Sequence, residues 1–360
     1  MPPWGGPPIR DTTSGRPRRE DAPRGVAANL RLLALFLALL ACVALATAVG
    51  AAPLSPGRVL AALTGGGDAT TRGIVLDLRL PRAVQACLVG GGLAVAGASF
   101  QALLRNPLAE PYVLGVSGGA ALGAVAALSL GFAAAGPWSL PLAAFAGALL
   151  AVGVVLVVAA RTRPALDTRV LLLAGVVAGA FFNALIMLFL SLGRTETFRS
   201  AIFWMMGSLS GAGWSDTGLL ALYVLPACAL LMALARPLNL LAVGEETALY
   251  LGTRVEWTKR AVYLSTSLLV AATVAVAGAI GFVGLIVPHA IRLAWGSDHR
   301  FVLPASLLAG GAFLVLADTA ARTALAPNEL PVGVVTAIVG VPLFVVLLVR
   351  DSGGGSGRIE

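Results

Sequence analysis

The chain has 360 residues, of which 58% are hydrophobic and 12% charged, and its mean hydropathy is +0.91. Soluble globular proteins carry about 25% charged residues, so this composition cannot build a water-facing surface and its surroundings must be membrane lipid. The net charge of +8 does not mark a nucleic-acid binder, because the basic residues lie between apolar blocks and do not cluster with aromatics on one face.

Residues 1–29 are rich in Pro, Gly and Arg without hydrophobic periodicity, and read as a disordered cytoplasmic arm. Apolar blocks of bilayer-spanning length then follow. They place spans at 30–50, 82–104, 113–132, 138–160, 169–192, 217–235, 258–282, 284–296, 301–323 and 331–350. The fold class is therefore an all-α membrane protein of about ten transmembrane helices, with its membrane body at 30–350. The first block has a longer apolar core than the roughly 7–15 residues of a signal peptide and reads as a retained span. Residues 195–213, with Phe203 and Trp204, read as a partial helix at the outer headgroup level. The eighth span is short and carries Pro288, His289 and Arg292, and the tail 351–360 is Gly/Ser-rich.

Ten spans put both termini on one side. With the termini inside, the cytoplasmic segments and adjoining helix ends hold 18 of the 25 basic and 11 of the 17 acidic residues. The net charge is then +7 inside and +1 outside, the sign that the positive-inside rule requires. Two short strings recur: AVAGA at 94–98 and 275–279, and GGAAL at 118–122 beside GGAFL at 310–314. With opposite span directions they suggest inverted repeats.

Cys42, Cys87 and Cys228 lie singly in apolar blocks and read as small buried hydrophobes. His289 and His299 form no zinc motif, so no metal or cofactor is expected on this chain. Lys259 is the single lysine, and no GxxxxGK[ST] phosphate loop can be assembled around it. ATP and Mg, if used, belong to a separate ATPase. Asp318, four residues before Arg322, is expected to pair with it on one helix face. Gln101 and Asn183 are expected to hydrogen-bond between helices, and His289 within the protein.

Four stretches carry a resemblance. They are RLPRAVQACLVGGGLAVAGASFQALLRNPLAEPYVLGVSGGAALGA from Arg79, GEETALYLGT at 244–253, GAIGFVGLIVPHAIRLAWGSDHR at 278–300 and LADTAARTALAPNELPVGVVTAIVGVPLF at 316–344. Together they resemble the permease family of the iron–siderophore, haem and cobalamin ABC importers (type II importers). The resemblance implies an inverted-repeat permease fold and a homodimer. It also implies two cytoplasmic ABC ATPase subunits below and an extracytoplasmic substrate-binding protein above. The implied cargo is an iron chelate, ferric siderophore first, with cobalamin or haem as the alternative. An ion-coupled secondary transporter is the remote alternative, since the spans hold no row of acids.

The resemblance also assigns residues. Arg79 and Arg82 flank Pro81 at the start of the second span, where a cation faces the unfavourable end of the helix dipole. These two and Arg322 are implied to meet glutamates of the binding protein; by residue type alone they could be snorkelling anchors. On the docking reading, Arg82→Glu should weaken docking without loss of folding. Gly244, Glu245, Glu246, Ala248, Leu249, Leu251 and Gly252 carry helix start and stop signals around an exposed apolar stretch. The resemblance makes this a coupling helix seated in the ATPase; by itself it could rest on the membrane. Asn106 and Leu108, and Thr168, match two halves of a cytoplasmic gate, although a simple inter-helix turn would also explain Pro107. Asp167 and Arg169 depart from the small hydroxyl residues of the family there.

Overall fold

The computed structural model describes residues 24–50, 52, 54–162 and 166–354. The first helix, α1 (Arg24–Ala48), starts inside the expected arm, so residues 24–29 are helical and the rest of the arm lies outside the described residues. Two helices unforeseen in the sequence follow, α2 (Pro56–Leu63) and α3 (Ala69–Arg72). They are capped by Ser55 and Asp68, whose side chains accept from the amides of Arg58 and Thr71. Hydrogen bonds from the Thr71 hydroxyl and amide hold the exposed Asp68 carboxyl below the usual range.

A π-helical stretch, Gly73–Arg79, joins α3 to α4 (Leu80–Leu103), giving one helical path from Ala69 to Leu103. The second span thus begins well before residue 82. Pro81 sits in the first turn of α4 and not at a free helix start. Proline has no N–H to donate, so a change of hydrogen-bond register just before it forfeits little.

The remaining helices follow the expected spans closely. They are α5 (Val116–Ser129), α6 (Ser139–Thr162), α7 (Thr168–Leu192), the partial helix α8 (Thr195–Met205) and α9 (Trp214–Ala233). Short helices α10 (Ala235–Val243) and α11 (Glu245–Tyr250) lead into α12 (Val255–Ala277) and α13 (Val283–Trp295). Last come α14 (His299–Thr323) and α15 (Val332–Gly354), the latter running into the expected tail. Seven helical segments are long and apolar enough to cross a bilayer, and α5, α13 and the first part of α15 are shorter apolar helices. Together these are the ten expected crossings.

The bundle is built around α4, whose apolar stretch is 83% buried against 11% for α1. Lipid tails offer helices no hydrophobic reason to associate, so contact depends on close approach across small residues. Gly97 of α4 meets Gly284 of α13, Gly90 meets Gly310 of α14, and Gly119 of α5 meets Gly147 of α6, backbone against backbone. Gly119 and Gly310 belong to the two GGA strings, which therefore share a packing job. The AVAGA strings do not: Gly97 is a mid-helix contact, whereas Gly278 ends α12 at φ +70°.

Two connections leave the helical path and pack on each other. The segment between α4 and α5 includes a 3-10 turn at Pro111–Leu114, whose Pro111 ring touches Gly284. Tyr112 donates its hydroxyl to the carbonyl of Ile280 (2.6 Å) and accepts from the Ile280 amide (2.8 Å). Glu110 accepts from the Phe282 amide at 2.8 Å. Non-helical backbone within a membrane protein survives where protein side chains satisfy it in this way.

Gln101 bridges helices as expected, donating to the Gly284 carbonyl at 3.2 Å and accepting from Arg292. Asn183 does not. It lies exposed on the face of α7 shared with Val176 and Met187 and makes no hydrogen bond among the described residues, because no neighbouring helix of the chain covers that face. His289 is buried with its ring edge-on to Phe344 at 6.0 Å, and the three cysteines are free.

A Cβ on Gly97 would lie 1.8 Å from the Gly284 carbonyl oxygen, whereas one on Gly153 meets nothing within 4 Å. Gly97→Leu should cost about 3 kcal/mol or more, because the obstacle is backbone. Gly153→Ala should leave thermal stability in detergent unchanged, so the pair of melting curves checks the α4–α13 contact.

Candidate functional site

Charged side chains gather at the two ends of the bundle. At the end where α1 finishes, Arg82 forms a fork with Asp318, through Nη2 at 2.8 Å and Nε at 3.0 Å. Its Nη1 reaches Glu329 at 2.9 Å. Arg322 approaches the same Asp318 at 3.7 Å, the expected pair, but Arg82 is the nearer partner. The Asp318 side chain is 4% exposed and that of Glu329 43%, so the network runs from the interior to the surface.

The other two arginines singled out in the sequence serve α1. Arg79 donates to the carbonyls of Thr47 (3.1 Å), Ala48 (2.8 Å) and Ala52, and Arg322 to that of Ala46. A helix leaves its last four carbonyls without partners, and α1 has no basic residue in its own last turn. Arginines from α4's approach and from α14 supply the missing donors, at the helix end where cations are favoured. Gly50 is part of this arrangement, since a Cβ there would lie 2.7 Å from the Arg79 guanidinium.

The structure therefore brings Arg79, Arg82 and Arg322 together, but inward. Arg79 and Arg322 are buried, and Arg82, its side chain 12% exposed, points to Asp318 and Glu329. Arg82→Glu would set a third carboxylate against Asp318 and Glu329, which argues against the expectation that it leaves folding intact. Beside Glu329, a cavity of about 430 Å³ is lined by Ser200, Phe203, Trp204, Ser208 and Ser210.

At the opposite end, α11 stands out from the bundle. Only its Ala248 is buried, while Leu249, Tyr250 and Leu251 are 64%, 89% and 61% exposed. The first residue of α11, Glu245, bonds Lys259 at 2.9 Å, and Lys259 also reaches Glu256 at 2.9 Å. The only lysine of the chain is itself 2% exposed. Glu246 and Leu249 line a cavity of about 450 Å³ with Arg254 and Trp257.

Asn106 accepts from the Leu108 amide at 2.9 Å, closing the turn after α4 and leaving Leu108 exposed. Asn106 lines a second cavity of about 470 Å³ with Gln101, Arg105, Asn239, Arg292 and His299. Thr168 is buried at the start of α7, with no hydrogen bond or ion pair to Asn106 or Leu108 among the described residues. Asp167 caps α7 by accepting from the Arg169 amide at 2.9 Å. A small hydroxyl residue can serve the same cap, so the departure from the family pattern at this position preserves the local geometry.

Sequence reasoning missed Glu329 and the Lys259 clamp. Glu329 lies 247 residues from Arg82, and no local pattern joins them. Lys259 had a local signal, since Glu256 stands three residues before it on one helix face.

A family model described as the FecCD transport family matches residues 37–350. YvrB of Bacillus subtilis strain 168, an uncharacterized ABC transporter permease, is 42% identical over 293 residues, 81% of this chain and 83% of that protein. The vitamin B12 import system permease BtuC of Salmonella paratyphi A is 41% identical over 327 residues, 90% of this chain and 96% of that one. A solved structure described as an inward-facing metal-chelate type ABC transporter superposes with a TM-score of 0.79 at 31% identity, covering 89% of this chain and 98% of that chain. PsaBC from Streptococcus pneumoniae, at 16% identity and a TM-score of 0.52, shares the fold alone.

Removing Asp318 would leave Arg322 without its carboxylate and Arg82 with Glu329 alone. Asp318→Ala should cost about 3–5 kcal/mol, as breaking a buried pair does. Glu329→Ala, at the exposed end of the network, should cost no more than about 1 kcal/mol. Unfolding of the two variants in detergent checks this ranking.

Proposed function

The chain belongs to the FecCD transport family, and from that premise we propose that it forms the substrate pathway of an importer for a bulky metal chelate. It is a multi-pass membrane permease of the ABC importer type, and this family works with ATPase and binding-protein partners. Both termini lie in the cytoplasm on this reading, which the charge bias of the sequence supports. ATP and Mg are then used by two partner ATPases and not by this chain.

The observation that carries the reading is α11. A short helix holding Leu249, Tyr250 and Leu251 out from the bundle end buries too little of itself to be stable alone. A groove in each cytoplasmic ATPase would cover it, making it the coupling helix. Asn106, Leu108 and Thr168 serve as the cytoplasmic gate, on the same side of the bundle. Above, Arg82 is the docking residue best placed to act: a carboxylate of the binding protein would take the position of Glu329. Arg79 and Arg322 support this site by fixing the end of α1.

A second copy of the chain completes the pathway. Asn183, uncovered on α7, would be left unsatisfied against lipid. A homodimer with a water-lined path along this face gives it partners.

The cargo is a corrinoid in preference to the ferric siderophore suggested by sequence, because vitamin B12 import permeases match 41% of residues across 90% of the chain. Uptake into proteoliposomes holding the complete complex should be competed by cobalamin and not by an excess of ferric siderophore. Competition by the siderophore alone would restore the earlier expectation.

Charge placed on the docking face of α11 should separate the subunits. Leu249→Glu with Tyr250→Glu should abolish co-purification of the ATPase, since desolvating a carboxylate in an apolar groove costs several kcal/mol. Membrane insertion should be unaffected. Undiminished co-purification would remove α11 from the interface.

A further inference from the structure

We propose that Lys259 is a positioning residue that passes movement of the coupling helix to the loop in front of α7. This rests on the permease reading above and deepens it. The ammonium group donates to Glu245 at 2.9 Å and reaches Glu256 at 2.9 Å. The second oxygen of Glu256 accepts the Leu166 amide at 2.9 Å. Leu166 stands two residues before Thr168, the buried residue that opens α7. One chain of short polar contacts thus runs from the first residue of α11, through the base of α12, to the backbone at the gate.

The geometry is more specific than an anchor requires. Glu245 and Glu256 are 35% and 42% exposed, and either could be satisfied by water alone. Lys259 is 2% exposed, so those two carboxylates are what offsets the cost of burying it. An ammonium can donate three hydrogen bonds, and here it binds one carboxylate from each of two elements. When ATPase closure displaces α11, Glu245 moves Lys259, Lys259 moves Glu256, and Glu256 carries Leu166 with it. Aliphatic packing at position 259 would hold the elements together but let them slide. Few side chains of α11 are buried against the bundle, Ala248 alone, so the polar chain adds a direct link beside the covalent connections.

The test uses the complete complex in proteoliposomes: this chain, its ATPase and its binding protein, with Lys259→Met and Lys259→Arg. Lys259→Met should still assemble and hydrolyse ATP, while uptake per ATP falls roughly tenfold or more, within the usual range of coupling between sites. Lys259→Arg should restore most of it. Hydrogen exchange separates coupling from a structural role. On ATP and vanadate the wild type should change protection at both 245–250 and 166–168; Lys259→Met should keep the first change and lose the second. Glu256→Gln retains an acceptor for Leu166 but loses the ion pair. It should show the same loss, and it replaces Lys259→Met if that variant does not assemble. Unchanged uptake per ATP, or an ATP response at 166–168 that survives both substitutions, would overturn the proposal. Absence of ATP-dependent uptake by the wild-type complex would instead overturn the permease reading.

Discussion

A charge or an unpaired backbone group inside a bilayer must find its partner within the protein, since lipid supplies none. That demand organises this chain. At one end, Arg79 and Arg322 give donors to the last carbonyls of α1, while Arg82 and Asp318 neutralise each other between α4 and α14. At the other, a lone buried lysine is held by two glutamates from α11 and α12. Between the ends, glycine lets α4 touch α13 and α14 so closely that little else fits between the backbones.

The two ends have different mechanical characters as a result. The arginine end joins α1, α4, α14 and the loop carrying Glu329, and Asp318 at its centre is almost fully enclosed. Its most exposed member is Glu329. The lysine end links a protruding helix to a loop at the start of α7 through half-exposed acids.

The spans were legible because a bilayer imposes a length, and apolar blocks of that length announce themselves. Short helices α2 and α3 obey no such length and rest on local caps at Ser55 and Asp68. The pair Asp318–Arg322 could be read from its spacing, yet its stronger partner Arg82 could not, because that contact is made by packing α4 against α14. Asn183 misled for a related reason. Its residue type calls for a partner, but the pattern cannot say whether the partner lies in the same chain. The motif strings, by contrast, identified the family directly, since each is long and lies where helices meet or the chain turns.

The central claim is that a membrane body of this kind draws its energy from another polypeptide. Its only lysine is committed to Glu245 and Glu256, leaving no lysine for a phosphate loop. The most direct measurement is phosphate release by the purified subunit with Mg and ATP, before and after its partner ATPase is added. The account predicts no turnover from this chain alone and vanadate-sensitive turnover once the partner is present. Sustained vanadate-sensitive hydrolysis by the isolated subunit would contradict it.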